Sequence, residues 1–520
     1  MSSKKIVDYI IVGGGAAGLA LAHRLGENPQ NQVLVIEAGG PDEQRHPMFS
    51  RFAQAPTGPR FRIGQAPQTL GVSRVGHRST DRLAGGSTKA SGTIRSRGGE
   101  ADYETWEAAG VTGWNWARFL GAFTAMERYA AGATGLHGDD NRPSAEAVGP
   151  PDSTSKLWIQ TLARQGIDTV EELGGDRTQA AYTPQPVPTV VRTGTVRPLP
   201  HGLTRRRNVR VRLYCSARRI LFDGTTAIGV EAATSRGTIR FHARREVILC
   251  AGVVGNPLLL ERSGVGDSEV LTTAGVHLVA ANPAVGSNLR QRRGAAFALW
   301  PNGVPEHEPE PVTPATRLRA RVGRALRRPA APTRADVSIR AVLNSDRGAS
   351  TTPDMELRFT PAPVAGATVA FFLQSPTSVG TVHISSPALD DPPRLVPGYL
   401  STDHDNELTV AAFARTREIL ATEPFALAMT ETFPGADVAD PADVLRYVRE
   451  HGFTEQAVGT CALGLGGVVD DELRVRGTRR LRVADASVMP TLTTSDTEAA
   501  SMAVGWIAGD ILRNANTRSR

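Results

Sequence analysis

The chain has 520 residues, of which 40% are hydrophobic and 21% are charged. This length exceeds the ~250–300 residues at which single cores usually divide, so two domains or one large interleaved body are expected. The composition is that of a globular protein and excludes a disordered or fibrous chain.

The formal net charge is +7, and much of the excess is local. Seven arginines lie in residues 317–334, directly after an acidic, proline-rich stretch. We interpret this region as a solvated loop and a basic helical turn; a binding patch for an anionic partner is the alternative. Because no aromatic residue interleaves with these arginines, we predict no nucleic-acid partner.

The cysteines and the N-terminus indicate in which cellular compartment the protein is expected. Three cysteines, Cys215, Cys250 and Cys461, cannot all pair and show no metal-ligand spacing, which favours a reducing cytoplasm. The basic N-terminus precedes an apolar run, but Asp8 interrupts that run and glycines occupy its centre, so a signal peptide is not favoured. Since no apolar span reaches ~18–20 residues without charge elsewhere, we predict no membrane insertion.

A glycine-rich turn follows the first predicted strand. Residues 6–12 are rich in β-branched side chains and suit a strand buried on both faces of a parallel sheet. Gly13, Gly15 and Gly18 follow at once in "GGGAAG", and a helix is predicted from Leu19. Such glycines let backbone amides and a helix N-terminus approach a pyrophosphate closely. A glycine-rich turn without a ligand is the alternative.

The second strand of this βαβ unit is predicted within residues 32–40, "QVLVIEAGG". Glu37 lies at its end, about 20 residues after the glycines, where a carboxylate can accept hydrogen bonds from both hydroxyls of a ribose. The start of the chain is therefore predicted to bind a dinucleotide.

Further strands and one helix are predicted along the chain. Proline and glycine are frequent in residues 183–202 and just before residue 317, which marks crossings between domains. The predicted strands are residues 208–214, 227–233, 238–243, 246–252, 354–361, 367–374 and 380–386, and the helix is residues 406–421. The domains are therefore expected to be built from alternating pieces of chain.

Several separated blocks together resemble the glucose-methanol-choline (GMC) oxidoreductase family. They are "GGGAAG" with "VIEAGG", "RLAGGSTKASGTIRSRGGEADYETW", "AGVVGNPLLLERSGVG", "VGSNL" and "LRVADASVMP", and they stand in the family's order across essentially the whole chain. The resemblance implies an α/β protein in which a Rossmann-like FAD-binding domain is interleaved with an α+β substrate domain that contains an antiparallel sheet. The implied FAD-binding pieces are residues 1–135, 205–298 and 455–520, and the substrate-domain pieces are residues 136–204 and 299–454.

The resemblance also implies which residues bind FAD. Gly13, Gly15 and Gly18 would hold the pyrophosphate and Glu37 the adenosine ribose. The other implied contacts are Gly85, Gly86, Ser87 and Ser91 along the flavin, the backbone of Ala217 at the adenine, and Asp485, Ala486 and Thr497. From the residues alone, Asp485 could equally cap the helix that follows it.

Some relatives tether FAD covalently through a histidine in the Gly-Gly-Ser block. The corresponding position here is Ala90, so the resemblance implies noncovalent FAD. Ser91 stands where a relative has asparagine, and residues 288–292 read "NLRQR", which departs from the family's run at that point.

The two positions that carry catalysis in the family hold different residues here. The usual histidine three residues before the Gly-Thr of "GTC" is Gln456, and the second position, six residues after Pro490, is Asp496. Alcohol oxidation needs a proton acceptor whose pKa lies near the working pH. Gln456 can donate and accept hydrogen bonds but cannot serve as that base, whereas a carboxylate can.

Asp496 has three interpretations: a base, an anchor for a substrate amine, or a cap at the start of the last helix. The segment "TTSDTEAAS" is also a good helix start, which favours the cap. His451 is expected to be a charge partner at a helix end rather than catalytic. Cys461 is expected to be buried and inert.

We therefore expect an FAD-dependent oxidoreductase that oxidises a CH–OH group of a small organic substrate in specialised metabolism. The alternative is an enzyme that retains FAD on this scaffold but acts as a lyase, cyclase or isomerase. A non-catalytic binding protein is disfavoured, because the glycine-rich blocks serve FAD rather than folding alone.

Overall fold

The computed structural model describes residues 6–39, 97–126, 152–170, 206–303, 339–346, 353–361, 366–494 and 496–518, together with the backbone of five short strands between residues 62 and 182. The predicted arginine-rich stretch at residues 317–334 and the proline-rich stretch at residues 183–202 lie outside the described residues.

The described elements are numbered in chain order. The helices are α1 (Ala16–Leu25), α2 (Glu100–Ala108), α3 (Trp116–Met126), α4 (Ser153–Arg164), α5 (Gly252–Arg262), α6 (Ser268–Thr273), α7 (Asp403–Leu420), α8 (Phe425–Ala428), α9 (Pro441–His451) and α10 (Thr497–Arg518), with a 3₁₀ turn at Ala486–Val488. The first strands are β1 (Ile6–Val12), β2 (Val33–Ile36), β3 (Arg62–Gly64), β4 (Gln68–Leu70), β5 (Arg74–Gly76), β6 (Ser79–Asp81), β7 (Thr169–Val170), β8 (Ala180–Tyr182), β9 (Val209–Arg212), β10 (Ser216–Asp223), β11 (Thr226–Thr234) and β12 (Gly237–Leu249). The remaining strands are β13 (Val265–Gly266), β14 (Ala280–Ala281), β15 (Arg290–Pro301), β16 (Ile339–Leu343), β17 (Met355–Pro361), β18 (Ala367–Leu373), β19 (Thr381–His383), β20 (Arg394–Val396), β21 (Met429–Phe433), β22 (Phe453–Val458) and β23 (Leu481–Val483).

The first sheet is the dinucleotide-binding sheet that the sequence predicts. Its order is β10-β11-β12-β1-β2-β9, and β23 pairs with β12. The strands β23, β12, β1, β2 and β9 are mutually parallel, whereas β10 and β11 are added antiparallel at one edge. Since both faces of β1 and β2 are covered, their apolar side chains are almost entirely buried.

One strand replaces two that the sequence predicts. Residues 238–243 and 246–252 were expected to form separate strands, but the structure has a single strand, β12, from Gly237 to Leu249. Its first half pairs antiparallel with β11 and its second half pairs parallel with β1, and the register shifts between the two halves. Arg244 and Arg245 at this irregularity interrupt the apolar pattern, which is why the sequence suggests a break there.

The second sheet is mostly antiparallel and has the order β21-β15-β18-β17-β16-β8-β7, with β22 also paired to β15. The helices α7 and α9 pack on it and share one buried core with it. The chain contributes β7 and β8 to this sheet before β9 of the first sheet, and it contributes β15 to β18, β21 and β22 before β23 of the first sheet. The predicted fold class, a Rossmann-like domain interleaved with a domain that contains an antiparallel sheet, is confirmed.

The last helix returns to the first. α10 packs along α1, where Gly505 lies against the backbone of Ala17 and Gly509 against the side chain of Arg24. This contact places the start of α10, and the residues just before it, on the same side of the molecule as the glycine turn after β1. Within the described residues, no helix combines the length and the apolar character that a bilayer crossing requires.

Candidate active site

The glycine turn between β1 and α1 leaves room for a ligand. Gly13 has φ of 110°, and a β-carbon there would lie 2.2 Å from the carbonyl oxygen of Cys250, so glycine is required for this close approach. A β-carbon on Gly15, by contrast, would meet no atom within 4 Å. The N-terminus of α1 therefore opens onto free space, which is the arrangement that binds a pyrophosphate.

Glu37 lies beside this turn at the end of β2. Its carboxylate accepts hydrogen bonds from the backbone amide of Gly14 at 2.7 Å and from that of Gly39 at 2.6 Å. Only 8% of the residue is exposed, and burial raises the pKa of its carboxyl despite these bonds. Each oxygen keeps a second lone pair for a ribose hydroxyl. The open space at Gly15 and the placement of Glu37 fit FAD.

Two other predicted FAD contacts lie where strands of the first sheet end. Ala217 is in β10, paired with Ala232. The Asp485 carboxylate accepts from the amide of Gly252 at 2.7 Å and from the Asn256 side chain at 2.8 Å.

Asp485 also accepts from the amide of Ser487 and so caps the 3₁₀ turn, as the alternative interpretation has it. It is buried, and burial raises its pKa. The amide of Ala486 donates to Ser501, and Thr497 opens α10. Gly85, Gly86, Ser87, Ala90 and Ser91 lie outside the described residues.

The "GTC" block packs against the segment that enters the second sheet. Gly459 has φ of 93°, and a β-carbon there would lie 2.2 Å from the carbonyl oxygen of Asn288. The hydroxyl of Thr460 donates to the carbonyl of Val253 at 2.6 Å. Cys461 is fully buried, and burial raises the pKa of its thiol well above the usual range. The thiol is therefore protonated and unreactive.

Gln456 occupies a β-bulge. In the pairing of β22 with β15, Ala457 is opposite Gln291 and Glu455 is opposite Arg292, so Gln456 is the extra residue. Its φ is 52°, in the left-handed region that a long side chain rarely adopts. Bulges re-aim side chains next to active sites. Here the side-chain amide is directed at Asp496.

Asp496 lies between an amide and a guanidinium. Its Oδ1 accepts a hydrogen bond from Nε2 of Gln456, and its Oδ2 lies 2.6 Å from Nη2 of Arg340. The carboxylate therefore makes contacts across the site, to β22 and to β16. The structure thus brings together Gln456 and Asp496, the two residues predicted to replace the family's usual pair.

Three arginines lie around this pair, of which Arg292 and Arg340 are buried and Arg358 is partly exposed. Glu356 on β17 lies 2.7 Å from Arg292, 3.1 Å from Arg358 and 3.7 Å from Arg340, measured between the nearest nitrogen and oxygen atoms. These three cations hold the pKa of the Glu356 carboxyl at about 2, against the opposing effect of complete burial. Arg358 also lies 4.0 Å from Asp496. We call the set of Glu356, Arg292, Arg340 and Arg358 the Glu356 cluster.

The Glu356 cluster was not predicted from the sequence. Its members come from three strands, and β15 is separated from β16 and β17 by more of the chain than those two are from each other. One signal was present: Glu356 and Arg358 stand two residues apart in "MELRFTP", so both side chains lie on the same face of an otherwise apolar strand. Opposite charges that share one face of a buried strand indicate that this face borders a polar site rather than bulk solvent.

The loop that carries Asp496 is held from two sides. The Asp102 carboxylate at the start of α2 accepts from the amide of Thr494 at 2.9 Å and from its hydroxyl at 2.8 Å. The indole of Trp106 donates to the hydroxyl of Thr491 at 2.7 Å, and Arg292 donates to the carbonyl of Thr493. The position of Asp496 is therefore fixed by α2 and by the second sheet together.

His451 is placed as the sequence predicts. It is the last residue of α9, with its imidazole about half exposed and packed edge-on to the ring of Phe433. A basic side chain at this end of the helix complements the helix dipole.

Comparisons with known proteins agree with this architecture. Two family models described as GMC oxidoreductase match residues 7–293 and 376–505. An oxygen-dependent choline dehydrogenase from Vibrio vulnificus (strain YJ016) is 30% identical over 548 residues, which cover 97% of this chain and 94% of that protein. Among solved structures, pyridoxine 4-oxidase from Mesorbium loti has a TM-score of 0.82 at 27% identity, with 98% of this chain and 99% of that chain covered. A formate oxidase variant from Aspergillus oryzae RIB40 has a TM-score of 0.83 at 21% identity over 100% of both chains, a likeness that shows the fold alone.

Proposed function

Because the chain belongs to the GMC oxidoreductase family, we propose that it oxidises a CH–OH group of a small organic molecule and that Asp496 accepts the hydroxyl proton. The observation that supports this most directly is the contact between Gln456 and Asp496 at the two positions where the family's catalytic residues are expected. The Asp496 carboxylate is therefore hydrogen-bonded to the residue that stands in place of the usual histidine.

Three predictions from the sequence are confirmed at the level of the family: the GMC resemblance, the FAD cofactor and the class of FAD-dependent oxidoreductases acting on CH–OH donors. Noncovalent attachment of FAD, the cytoplasmic location, the domain boundaries and a role in specialised metabolism stay predictions.

The residues divide the work at the site. FAD, when bound, supplies the acceptor for the hydride that leaves the substrate carbon. Gln456 orients Asp496 through its Nε2, while its Oε1 is buried and accepts no hydrogen bond from the described residues. This free acceptor can receive a hydrogen bond from the substrate, and Asp496 can take the hydroxyl proton.

The charges at the site bear on the substrate. Asp496 is paired with Arg340 at 2.6 Å, and Arg358 lies 4.0 Å away. The carboxylate therefore offers little uncompensated charge to a quaternary ammonium or an amine, which disfavours the amine-anchor interpretation of Asp496. We propose an uncharged or anionic hydroxyl compound rather than a cation such as choline.

The experiment is anaerobic flavin reduction followed by absorbance. The purified protein is mixed with pyridoxine, aryl alcohols, hydroxy acids and choline, and Asp496→Asn is compared with the native chain. We expect one or more uncharged or anionic alcohols to bleach the native flavin faster than choline does. Asp496→Asn should slow this step by about 10²–10⁴-fold, the usual contribution of a positioned base.

Flavin content and the flavin spectrum of Asp496→Asn are the controls for folding. A variant that binds flavin normally and keeps the native rate would remove Asp496 from the mechanism. If no alcohol reduces the flavin while a candidate substrate is still transformed, the redox proposal fails. The lyase, cyclase or isomerase alternative would then apply, which the replacement of both catalytic positions motivates.

A further inference from the structure

We propose that Arg340 is a positioning residue for proton transfer: it holds the Asp496 side chain in place, with Oδ1 turned to the Gln456 amide. The inference rests on the proposed role of Asp496 as proton acceptor. Arg340 Nη2 is 2.6 Å from Asp496 Oδ2, and the Arg340 side chain is 6% exposed while that of Asp496 is 18% exposed. This pair is shielded from water, so its charge interaction is not screened as a surface ion pair would be.

The sheet geometry supports a dedicated role. Arg340 on β16 and Arg358 on β17 are directly opposite each other in the antiparallel pairing. Like charges at opposite positions destabilise a sheet, so such a pair persists where other interactions offset the cost. Glu356 on the same face of β17 offsets part of it, and Asp496 contacts Arg340 from the far side of the site.

Glu356 also fixes where the Arg340 guanidinium lies. Nη1 of Arg340 is 3.7 Å from Glu356 Oε1, while Nη2 reaches Asp496. The guanidinium thus bridges a deeply buried carboxylate and the carboxylate at the site. Because the pKa of Glu356 is held at about 2, the Glu356 carboxylate stays ionised across the pH range in which enzymes work and continues to attract Arg340.

Among the described residues, the groups that face Asp496 are Arg340 from β16, Arg358 from β17 and the amide of Gln456 from β22, with Glu356 behind the arginines. Removing Arg340 takes away the contact that fixes Oδ2, so the carboxylate no longer keeps Oδ1 turned toward the Gln456 amide. Because proton transfer needs a positioned acceptor, the rate of flavin reduction should then fall.

The first test measures the limiting rate constant of anaerobic flavin reduction and the apparent dissociation constant of the substrate in Arg340→Gln, Arg340→Lys and Arg358→Gln, using the best alcohol from the substrate panel. We expect Arg340→Gln to lower the limiting rate constant by about 10-fold or more with a smaller change in the dissociation constant, and Arg340→Lys, which keeps a cation, to lower the rate constant less. Arg358→Gln removes a cation from the same cluster at the greater distance of 4.0 Å and should lower the rate constant less than Arg340→Gln. Arg219→Gln on the surface of β10 should leave both values unchanged.

A native rate constant in Arg340→Gln, with a lowered one in Asp496→Asn, would overturn the role of Arg340 while leaving the proposed function intact. A native rate constant in Asp496→Asn would instead overturn the proposed function itself. If Arg340→Gln does not fold, Arg340→Lys decides: a guanidinium holds the carboxylate through a fixed fork that lysine lacks, so the lysine variant should still show a reduced rate constant. A native rate constant in Arg340→Lys would contradict the proposal.

The second test does not depend on activity. Thermal midpoints are measured for Arg340→Gln, Asp496→Asn and the double variant at neutral pH. If the two side chains are coupled, the double variant should lose clearly less than the sum of the two single losses, because each single change strands the partner's charge. Strictly additive losses would overturn the coupling on which the inference depends.

Discussion

Gln456 combines an unusual backbone conformation with an unusual chemical role. A non-glycine residue at φ of 52° in a strand costs stability, and such strain persists where the surrounding structure imposes it. The bulge directs the amide toward Asp496, and the Oε1 atom stays available to the substrate. The strain is therefore associated with the geometry of the proposed proton-transfer pair.

We predict that Gln456→Asn separates stability from activity. Asparagine tolerates the left-handed region better than glutamine, so the thermal midpoint should be unchanged or higher. Its shorter side chain cannot reach Asp496 as Gln456 does, and loss of a hydrogen bond to a charged group should slow flavin reduction by roughly 10-fold or more. Calorimetry and stopped-flow absorbance measure the two effects. A native reduction rate in Gln456→Asn would argue against the amide's role.

Some residues of the site could be predicted from the sequence and others could not, for physical reasons. Gln456 and Asp496 could be located because they stand at fixed spacings from "GTC" and from Pro490. Arg340 and Arg292 could not, because nothing in a single sequence pairs β16 with β15 or β17. Their role depends on which strands are neighbours in the folded sheet.

The close contact between α1 and α10 requires a glycine at position 505. A β-carbon on Gly505 would lie 2.2 Å from the carbonyl oxygen of Ala17, in the backbone of α1. Since helix backbones cannot shift as a side chain can, any larger residue must separate the two helices. This contact lies in the first turn of α1, close to the N-terminus that we propose binds the FAD pyrophosphate.

Gly505→Ala should therefore destabilise the fold and weaken FAD binding. We expect a loss of about 1–3 kcal/mol in unfolding free energy, as for other overpacked sites, and a lower flavin content after purification. Gly121→Ala is the matched control, because Gly121 is exposed inside α3 and a β-carbon there would meet nothing within 4 Å. That variant should be neutral or stabilised by up to about 1 kcal/mol. Equal midpoints for the two variants would contradict the packing argument.

Element prediction succeeded where hydrophobic patterns were regular. β1, β17 and β18 lie within a residue of their predicted bounds, and α7 begins three residues earlier than predicted, where Thr402 caps it. The sequence predicts two strands where the structure has the single strand β12. The register shift inside β12 shows in the sequence only as a polar interruption. Pairing across the sheet, rather than local preference, makes the strand continuous.

The carboxyl groups with shifted pKa values affect the pH dependence of folding stability in two opposite ways. Burial raises the pKa values of Glu37, Asp102 and Asp485, so each disfavours the folded state once it must ionise. Glu356 behaves differently, since its pKa falls from an ordinary 4.5 to about 2. A carboxyl with a lowered folded pKa stabilises the fold above its unfolded pKa, and this stabilisation is lost as pH falls toward the folded pKa.

Glu356→Gln should accordingly be most harmful near neutral pH. The shift from 4.5 to about 2 corresponds to about 3 kcal/mol, present above pH 4.5 and lost progressively between pH 4.5 and pH 2. Removing this charge also leaves three arginines, two of them buried, without their carboxylate partner, and breaking a buried ion pair typically costs about 3–5 kcal/mol. Denaturant unfolding at several pH values measures the difference from the native chain. A difference that does not shrink as pH falls below 4.5 would contradict the ionised state of Glu356.

The overall architecture was predictable because the glycine turn and the order of the sequence blocks along this chain resemble those of a known family. The reaction site was predictable only in part, since it forms where the loop before α10, the bulge in β22 and the buried face of the second sheet meet. Those three segments converge through long-range packing, as the contacts of Asp102 and Arg292 with the loop at residues 491–494 show.

The pairing of Gln456 with Asp496 has a consequence for inhibition by metal ions. Imidazole is a strong ligand for copper, nickel and zinc, so a histidine at a reaction site exposes an enzyme to poisoning by these ions. Here an amide and an arginine-bound carboxylate occupy the corresponding positions, and the described residues contain no group of three or more histidine, cysteine, aspartate or glutamate side chains that could hold a metal. Such a site should keep turning over in micromolar copper or nickel, and a histidine engineered at position 456 should make it sensitive.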